Sequence, residues 1–468
     1  MPGPKLLLPA FVILLAGCAT VGPDYTPPLP SALGVPANYV LPANAASPQD
    51  LTAWWGRFND PLLDRFIAEA ISGNLDLAVA RSRLRQAREA SIQARSDLVP
   101  TVGVSGGVGR TIDSQGNSST DLSLGGDAAW EADLFGGISR GIEAARADEQ
   151  GAGFDLAAIR IAAIGDVATN YVQARLAQQR LQNARDQLAI ADDDFEIARW
   201  RVQAGLVSSL DAEQARAQRA QTAATIPTFE SAFAAAAYRI AVLTGQAPGA
   251  TTAALEAVQP IPAPLPSVAV GIPADTLRQR PDVRSAERAL ASATARIGVA
   301  QAQLYPALRL SGNIGTSALS VGGLFDSITG GLLAGLSQTL FDGGRLHSQV
   351  RSQRAAAEGA QATYRQSVLT ALEDVENSLV ALRSARARQQ QFAIALDAAN
   401  NSAILARSQY RAGLTDFQIL LDAERSLLAA RDGLTSARAD EALATIQLYR
   451  ALGGGWDPQA APDQELSS

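Results

Sequence analysis

The stretch Thr101-Val102-Gly103-Val104-Ser105-Gly106-Gly107-Val108-Gly109-Arg110 places valine at 102, 104 and 108 and glycine, serine or threonine between them. That period of two predicts a strand with one apolar face and one face of small or polar groups. Leu122, Leu124, Ala128, Trp130, Ala132 and Leu134 continue it on a second strand, so strands are expected over 101–112 and 121–135. Leu308, Leu310 and Ile314, then Leu332, Ala334, Leu336 and Leu340, repeat the theme and predict strands over 307–317 and 331–341. Each hairpin is long enough to cross a bilayer. Four strands cannot close a barrel, and an open edge in hydrocarbon leaves backbone groups unpaired, so several chains must share one. Two, three or four chains would supply eight, twelve or sixteen strands; an eight-stranded barrel is filled by its own side chains, so a conducting one needs three chains or more.

The strands recur because the whole chain does. Leu98-Val99-Pro100 returns as Leu304-Tyr305-Pro306, and Leu134-Phe135-Gly136-Gly137 as Leu340-Phe341-Asp342-Gly343-Gly344. Leu210-Asp211-Ala212-Glu213 returns as Leu421-Asp422-Ala423-Glu424, at a displacement growing from about 206 to about 211 residues, too long for a solenoid repeat. The chain is an internal duplication: a first repeat over 61–248, a Pro-rich linker over 249–274 with Pro260, Pro262, Pro264 and Pro266, and a second repeat over 275–455.

After each hairpin comes a proline-free run, Ile138 to Ala204 and Arg345 to Arg411, long enough for a helical rod of roughly 100 Å. Long helix pairs are expected over 138–244 and 345–452, the first kinked at Pro227. Apolar residues at alternating three and four spacing, as in Leu188, Ala191, Phe195, Ala198 and Val202, or Val368, Leu372, Val375, Leu379 and Leu382, predict side-by-side helix packing. The rods turn back at Ala204-Gly205-Leu206 and Ala412-Gly413-Leu414, where glycine can end a helix and Ser208, Ser209 or Asp416 can cap the next. Because the strand number is even, both turns and both chain ends belong on one side of the membrane.

Lys5 followed by an apolar stretch from Leu6 to Ala16, too short to span a bilayer, reads as a signal peptide over 1–17. Leu15-Ala16-Gly17-Cys18 resembles a lipobox, which makes Cys18, the lone cysteine, the acylated first residue of the mature chain; Ala19 rather than aspartate after it resembles the outer-membrane default. An N-terminal extension is then expected over 18–60 and a flexible C-terminal tail over 456–468. A net charge of -7 offers no basic field for nucleic acid. One Cys, one Met and one histidine, His347, cannot build a soft-metal site, and no P-loop, nucleophile elbow or zinc-protease signature is present. No enzyme and no cofactor beyond the covalent lipid is expected. A spacer lipoprotein of the envelope would share the coiled-coil helices, and the alternating hairpins argue against it.

These motifs resemble the TolC-type outer-membrane efflux proteins, in the lipoprotein branch of NodT and OprM type, over essentially the whole mature chain. The resemblance rests on Val21-Gly22-Pro23-Asp24-Tyr25, Trp54-Trp55 with Phe58 and Asp60-Pro61, Leu340 to Gly344, Tyr410-Arg411-Ala412-Gly413, Leu421 to Arg425, and Ala451 to Trp456. It implies a mainly α fold with a β-barrel portion: a homotrimer whose twelve-stranded barrel lies in the outer membrane and continues as a twelve-helix periplasmic barrel. It implies a passive duct for small molecules such as drugs, meeting a periplasmic adaptor and a proton-driven inner-membrane pump. The adaptor would dock at Ala204, Gly205, Leu206, Ala412, Gly413 and Leu414. Asp422 and Arg425, with Asp211 their counterpart in the first repeat, would form the constriction that closes the resting channel, and Gln418 stands where relatives carry a hydrophobic leucine ring.

Overall fold

The computed structural model of the chain describes residues 20–40, 51–112, 114–264, 273, 277 and 279–457. Two halves repeat one order of elements. The first runs α1 (Pro61–Gly73), α2 (Leu75–Ser96), β1 (Thr101–Ile112), β2 (Ser118–Ala132), α3 (Gly137–Gln203) and α4 (Ser209–Leu243). The second runs α5 (Pro281–Ala302), β3 (Ala307–Ala318), β4 (Ile328–Ser337), α6 (Arg345–Arg411) and α7 (Phe417–Ala451). Partner helices match in length: α3 and α6 have 67 residues each, α4 and α7 have 35, α2 and α5 have 22. Two compact units result, one of Met1–Leu29, Ser82–Phe154 and Arg284–Ser367, the other of Pro30–Arg81, Asp155–Val283 and Val368–Ser468.

The first unit holds one antiparallel sheet in the order β1-β2-β3-β4. Cross-strand pairs share a face, and the register puts Val102 opposite Ala128, Val108 opposite Leu122, Trp130 opposite Leu310 and Leu308 opposite Leu336. That face is mostly apolar from edge to edge; its polar members are Arg110, Ser118, Thr120 and Thr316, and Arg110 donates to Ser118 Oγ (3.1 Å) at the hairpin end. The other face carries Ser105, Asp121, Ser123, Asp127, Glu131, Arg309 and Asn313 among glycines, with Leu333 its one large apolar group. The hairpins differ from expectation at their ends. β2 spans 118–132 rather than 121–135, because Asp133 leaves the strand to accept hydrogen bonds from the amides of Ile138 (3.0 Å) and Ser139 (2.8 Å) at the start of α3. β4 spans 328–337 rather than 331–341, and Asp342 likewise accepts from the amides of Gly344 and Leu346, both at 2.8 Å, which lowers its pKa. The expected leader over 1–17 and Cys18 lie outside the described residues, but the segment from 20 onward is a strap. The Val21 amide donates to Phe135 O (3.1 Å), Arg140 donates to Asp24 (2.6 Å), and Tyr25 OH donates to Glu287 (3.2 Å). At Gly22 (φ +101°) a Cβ would lie 2.5 Å from Gly298 Cα, so the motif needs glycine there.

The second unit is helical, built around Trp54, which stacks on Tyr449 (5.1 Å, 19°) and meets Phe58 edge-on (6.1 Å). Asp60 caps α1 through the amides of Leu62 (3.0 Å) and Leu63 (3.2 Å), and Tyr171 OH donates to its second oxygen (2.6 Å). Arg175, fully buried, donates to Tyr171 OH (3.0 Å) and to Ala257 O (2.8 Å), so the described part of the Pro-rich stretch is tied to α3. One expectation is corrected here. Trp456 is core rather than tail: it is 6% exposed and its indole donates to Gln279 O (2.9 Å), while 458–468 lie outside the described residues. α4 is continuous through Pro227, where the proline offers no amide to the carbonyl one turn back.

Asp60→Ala removes both the cap and the acceptor of a buried tyrosine hydroxyl. It should destabilise the helical unit by about 2 kcal/mol, with Asp60→Asn recovering most of it, as read by urea-induced loss of helical circular dichroism.

Candidate functional site

Both helix turns of the second unit end in the same way. Gly205 (φ +67°) donates to Val202 O (3.0 Å) and Leu206 to Arg201 O (2.9 Å); Gly413 (φ +75°) donates to Tyr410 O (3.0 Å) and Leu414 to Gln409 O (2.9 Å). These are paired 5→2 and 6→1 closures around a left-handed residue, which a side chain would strain. The closure leaves Leu206 69% and Leu414 78% exposed. Ser208 caps α4 through the Leu210 amide (3.2 Å), whereas Asp416 holds the cap position of α7 without a side-chain cap bond. Arg201 ties the two turns together, donating to Tyr410 O (2.9 Å) and lying 4.5 Å over the Tyr410 ring. Burial raises the Tyr410 pKa.

Beyond the second turn, Gln418, Asp422 and Arg425 are all exposed on α7. Gln418 Nε2 donates to Asp422 Oδ1 (3.1 Å), one helical turn apart, and Arg425 Nε donates across to Gln218 Oε1 on α4 (3.2 Å). Asp211 sits in the first turn of α4, and its charge acts on Tyr410. The polar residue at 418 is thus a partner of the carboxylate beside it. His347 is exposed, and among the described residues no group of His, Cys, Asp and Glu could hold a metal ion. No described helix is long and apolar enough to cross a membrane.

Sequence reasoning passed over a buried charged group in the same region. The buried seam of α3 reads Ala184, Gln187, Ala191, Asp194, Ala198, a three-four spacing that includes two polar residues. Asp194 and Glu424 are each 4% exposed. Arg407 on α6 donates to Glu424 (2.5 Å), while Asp194 Oδ2 is buried without a partner. Burial first, then the neighbouring Glu424, pushes the Asp194 pKa up to about 8, against smaller lowering by Arg407 and Arg411. Following the heptad through its polar members would have found the pair: Leu420, Glu424 and Leu427 continue one buried stripe of α7.

The profile of the family described as "Outer membrane efflux protein" matches residues 66–246 and 272–454. "Nodulation protein T" of Rhizobium leguminosarum bv. trifolii is 35% identical over 473 residues, covering 97% of each chain. "Pyoverdine export outer membrane protein OpmQ" of Pseudomonas putida is 30% identical over 97% of this chain and 98% of its own. Among solved structures, the "outer-membrane channel OprN" superposes with a TM-score of 0.85 at 34% identity, over 94% of this chain and 100% of that one.

Alanine at Gly205 or Gly413 should cost about 1 kcal/mol of local stability at its turn and speed amide exchange of Leu206 or Leu414 several-fold, with the untouched turn as internal control.

Proposed function

The chain belongs to the outer membrane efflux protein family and is the outer-membrane channel subunit of a tripartite efflux system; on that premise we propose that three copies close one barrel and conduct small molecules passively to the exterior. The sheet carries this reading. One of its faces is mostly apolar across all four strands and the other polar, and its edges, β1 and β4, have no partner strand among the described residues. In hydrocarbon each unpaired backbone group costs several kcal/mol, so β4 of one chain pairs with β1 of the next until the ring closes. Three copies make a twelve-stranded barrel, wide enough for a lumen lined by the polar face. Three copies of α3, α4, α6 and α7 supply the twelve helices of the periplasmic portion. The pyoverdine exporter among the relatives supports a small-molecule cargo.

The chain holds no energy-transducing motif, so transport is driven by an inner-membrane proton-driven pump through a periplasmic adaptor. Exposed Leu206 and Leu414 at the turns 204–206 and 412–414 offer that adaptor an apolar contact. Asp422 and Arg425, repeated about the trimer axis, form the constriction together with Asp211; Gln418, bonded to Asp422, keeps that ring polar rather than dewetting. Opening breaks the Arg425–Gln218 bridge between α7 and α4. Cys18 carries the acyl chains, and the strap that begins after it is fixed at Phe135, just past the end of β2.

Purified wild-type protein in planar bilayers should show rare, small openings, and Asp422→Ala combined with Arg425→Ala should make them frequent. Unchanged conductance in the double variant removes the assigned constriction, and no conductance in either removes the channel. Metabolic labelling with palmitate should mark the wild type and be lost in Cys18→Ala; equal labelling of both removes the anchor from Cys18.

A further inference from the structure

Two buried carboxyls face each other where three helices meet. Asp194 lies on α3 and Glu424 on α7, Asp194 about three helical turns before Gly205 and Glu424 about two turns into the helix that follows Gly413. The same stretches of α3, α6 and α7 carry one buried apolar cluster that includes Ala198, Ala403, Ala406, Leu420, Leu421 and Leu427. Arg407 of α6 is bonded to Glu424 and accounts for one negative charge. Arg411, also on α6, acts on Asp194 only through its charge, and Tyr410 feels Asp194 and, from α4, Asp211. The nearest ion pair between α3 and α4, Asp192 with Arg219, is exposed and satisfied. Asp194 therefore has Glu424 within hydrogen-bonding reach, yet its Oδ2 finds no donor among the protein's own groups. Two carboxylates can bond to each other only if one of them holds a proton, and a buried carboxylate without a donor is costly.

We propose that Asp194 and Glu424 form a proton-binding site in which Asp194 O–H donates to the Glu424 carboxylate, holding α3 to α7 beside the constriction residues and releasing them when the proton leaves to solvent. One proton and one negative charge over the pair match the single bonded arginine, so the protonated site is neutral overall. Deprotonation leaves two buried negative charges in contact, and the helices separate to admit water. The direction follows from the raised affinity: the folded state holds the proton more tightly than the unfolded chain, so this contact is at full strength in acid and is lost as pH rises through about 8. The consequence for conduction rests on the channel reading above; the proton site itself does not.

Infrared difference spectra and amide hydrogen exchange on the purified full-length protein test it. Between pH 6 and pH 9.5 the wild type should lose the carbonyl stretch of a buried protonated carboxylic acid. Exchange over 188–200 and 418–430, corrected for the intrinsic pH dependence, should accelerate several-fold. Asp194→Asn keeps a donor toward Glu424, and should lack the band and show flat exchange. Glu424→Gln removes the facing anion, the cause of the raised Asp194 affinity that ranks after burial, so the band should be lost at a lower pH than in the wild type. A wild type without the band at pH 6, a band that survives Asp194→Asn, or exchange that accelerates equally in Asp194→Asn overturns the proposal. Bilayer conductance separates the two ideas: openings that increase with pH in the wild type but not in Asp194→Asn support the site as a gate control. A wild type that titrates and loosens yet conducts at no pH supports the site and overturns the channel.

Discussion

An unpaired backbone amide has no partner in hydrocarbon, and this constraint decides more about the protein than any side chain does. The sheet has four strands, all neighbours antiparallel, with β1 and β4 left at its edges. A soluble protein would blunt such edges with lysine or proline; here β4 reads Ile-Thr-Gly-Gly-Leu-Leu-Ala-Gly-Leu-Ser without a charge. A strand of that composition is a pairing surface, and closure by symmetric copies satisfies it completely. Oligomerisation and the closed ring follow from this backbone accounting.

The glycines make the polar face workable. A Cβ at Gly103 would meet the Asp127 carboxylate at 3.2 Å, and one at Gly331 would meet Asn313 Oδ1 at 3.1 Å. The longer polar side chains thus lie sideways over neighbouring glycines rather than standing out from the wall. Arg309 and Glu131, paired at 3.0 Å, do the same for each other's charge. A wall of short and folded-down side chains keeps a duct open and nearly featureless, which is the chemistry of conduction rather than recognition.

The sequence was most legible where one residue type has one physical use. Alternating valine gave the strands, Gly205 and Gly413 gave the turns, and the matched spacing of the two halves gave the duplication, down to equal helix lengths. It was least legible where a residue has two uses. Asp133 and Asp342 extend the alternating pattern past the strands, but each serves as a helix cap, and so the hairpins end early. Trp456 follows three glycines and reads as the start of a tail; it is held by Gln279 O, a partner far away in sequence. Asp194 is the extreme case, since a charged residue in a heptad seam reads as a surface position until its partners on α6 and α7 are in view.

Helix geometry ties that hidden pair to the exposed one. At about 100° per residue, Asp422 and Arg425 lie within about 60° of each other around α7, while Glu424 points roughly the opposite way. The helix therefore presents Asp422 and Arg425 on one side and its buried carboxyl on the other. A rotation of α7 that draws Glu424 out of its seam must sweep Asp422 and Arg425 along the other edge, and it must break the Arg425–Gln218 bond to α4 at the same time. Because packed cores shift between discrete arrangements instead of deforming smoothly, such a rotation has two stable settings rather than a continuum. Of the polar contacts α7 makes near the second turn, the one proposed with Asp194 is the one that needs a proton to form, because both of its partners are carboxyls.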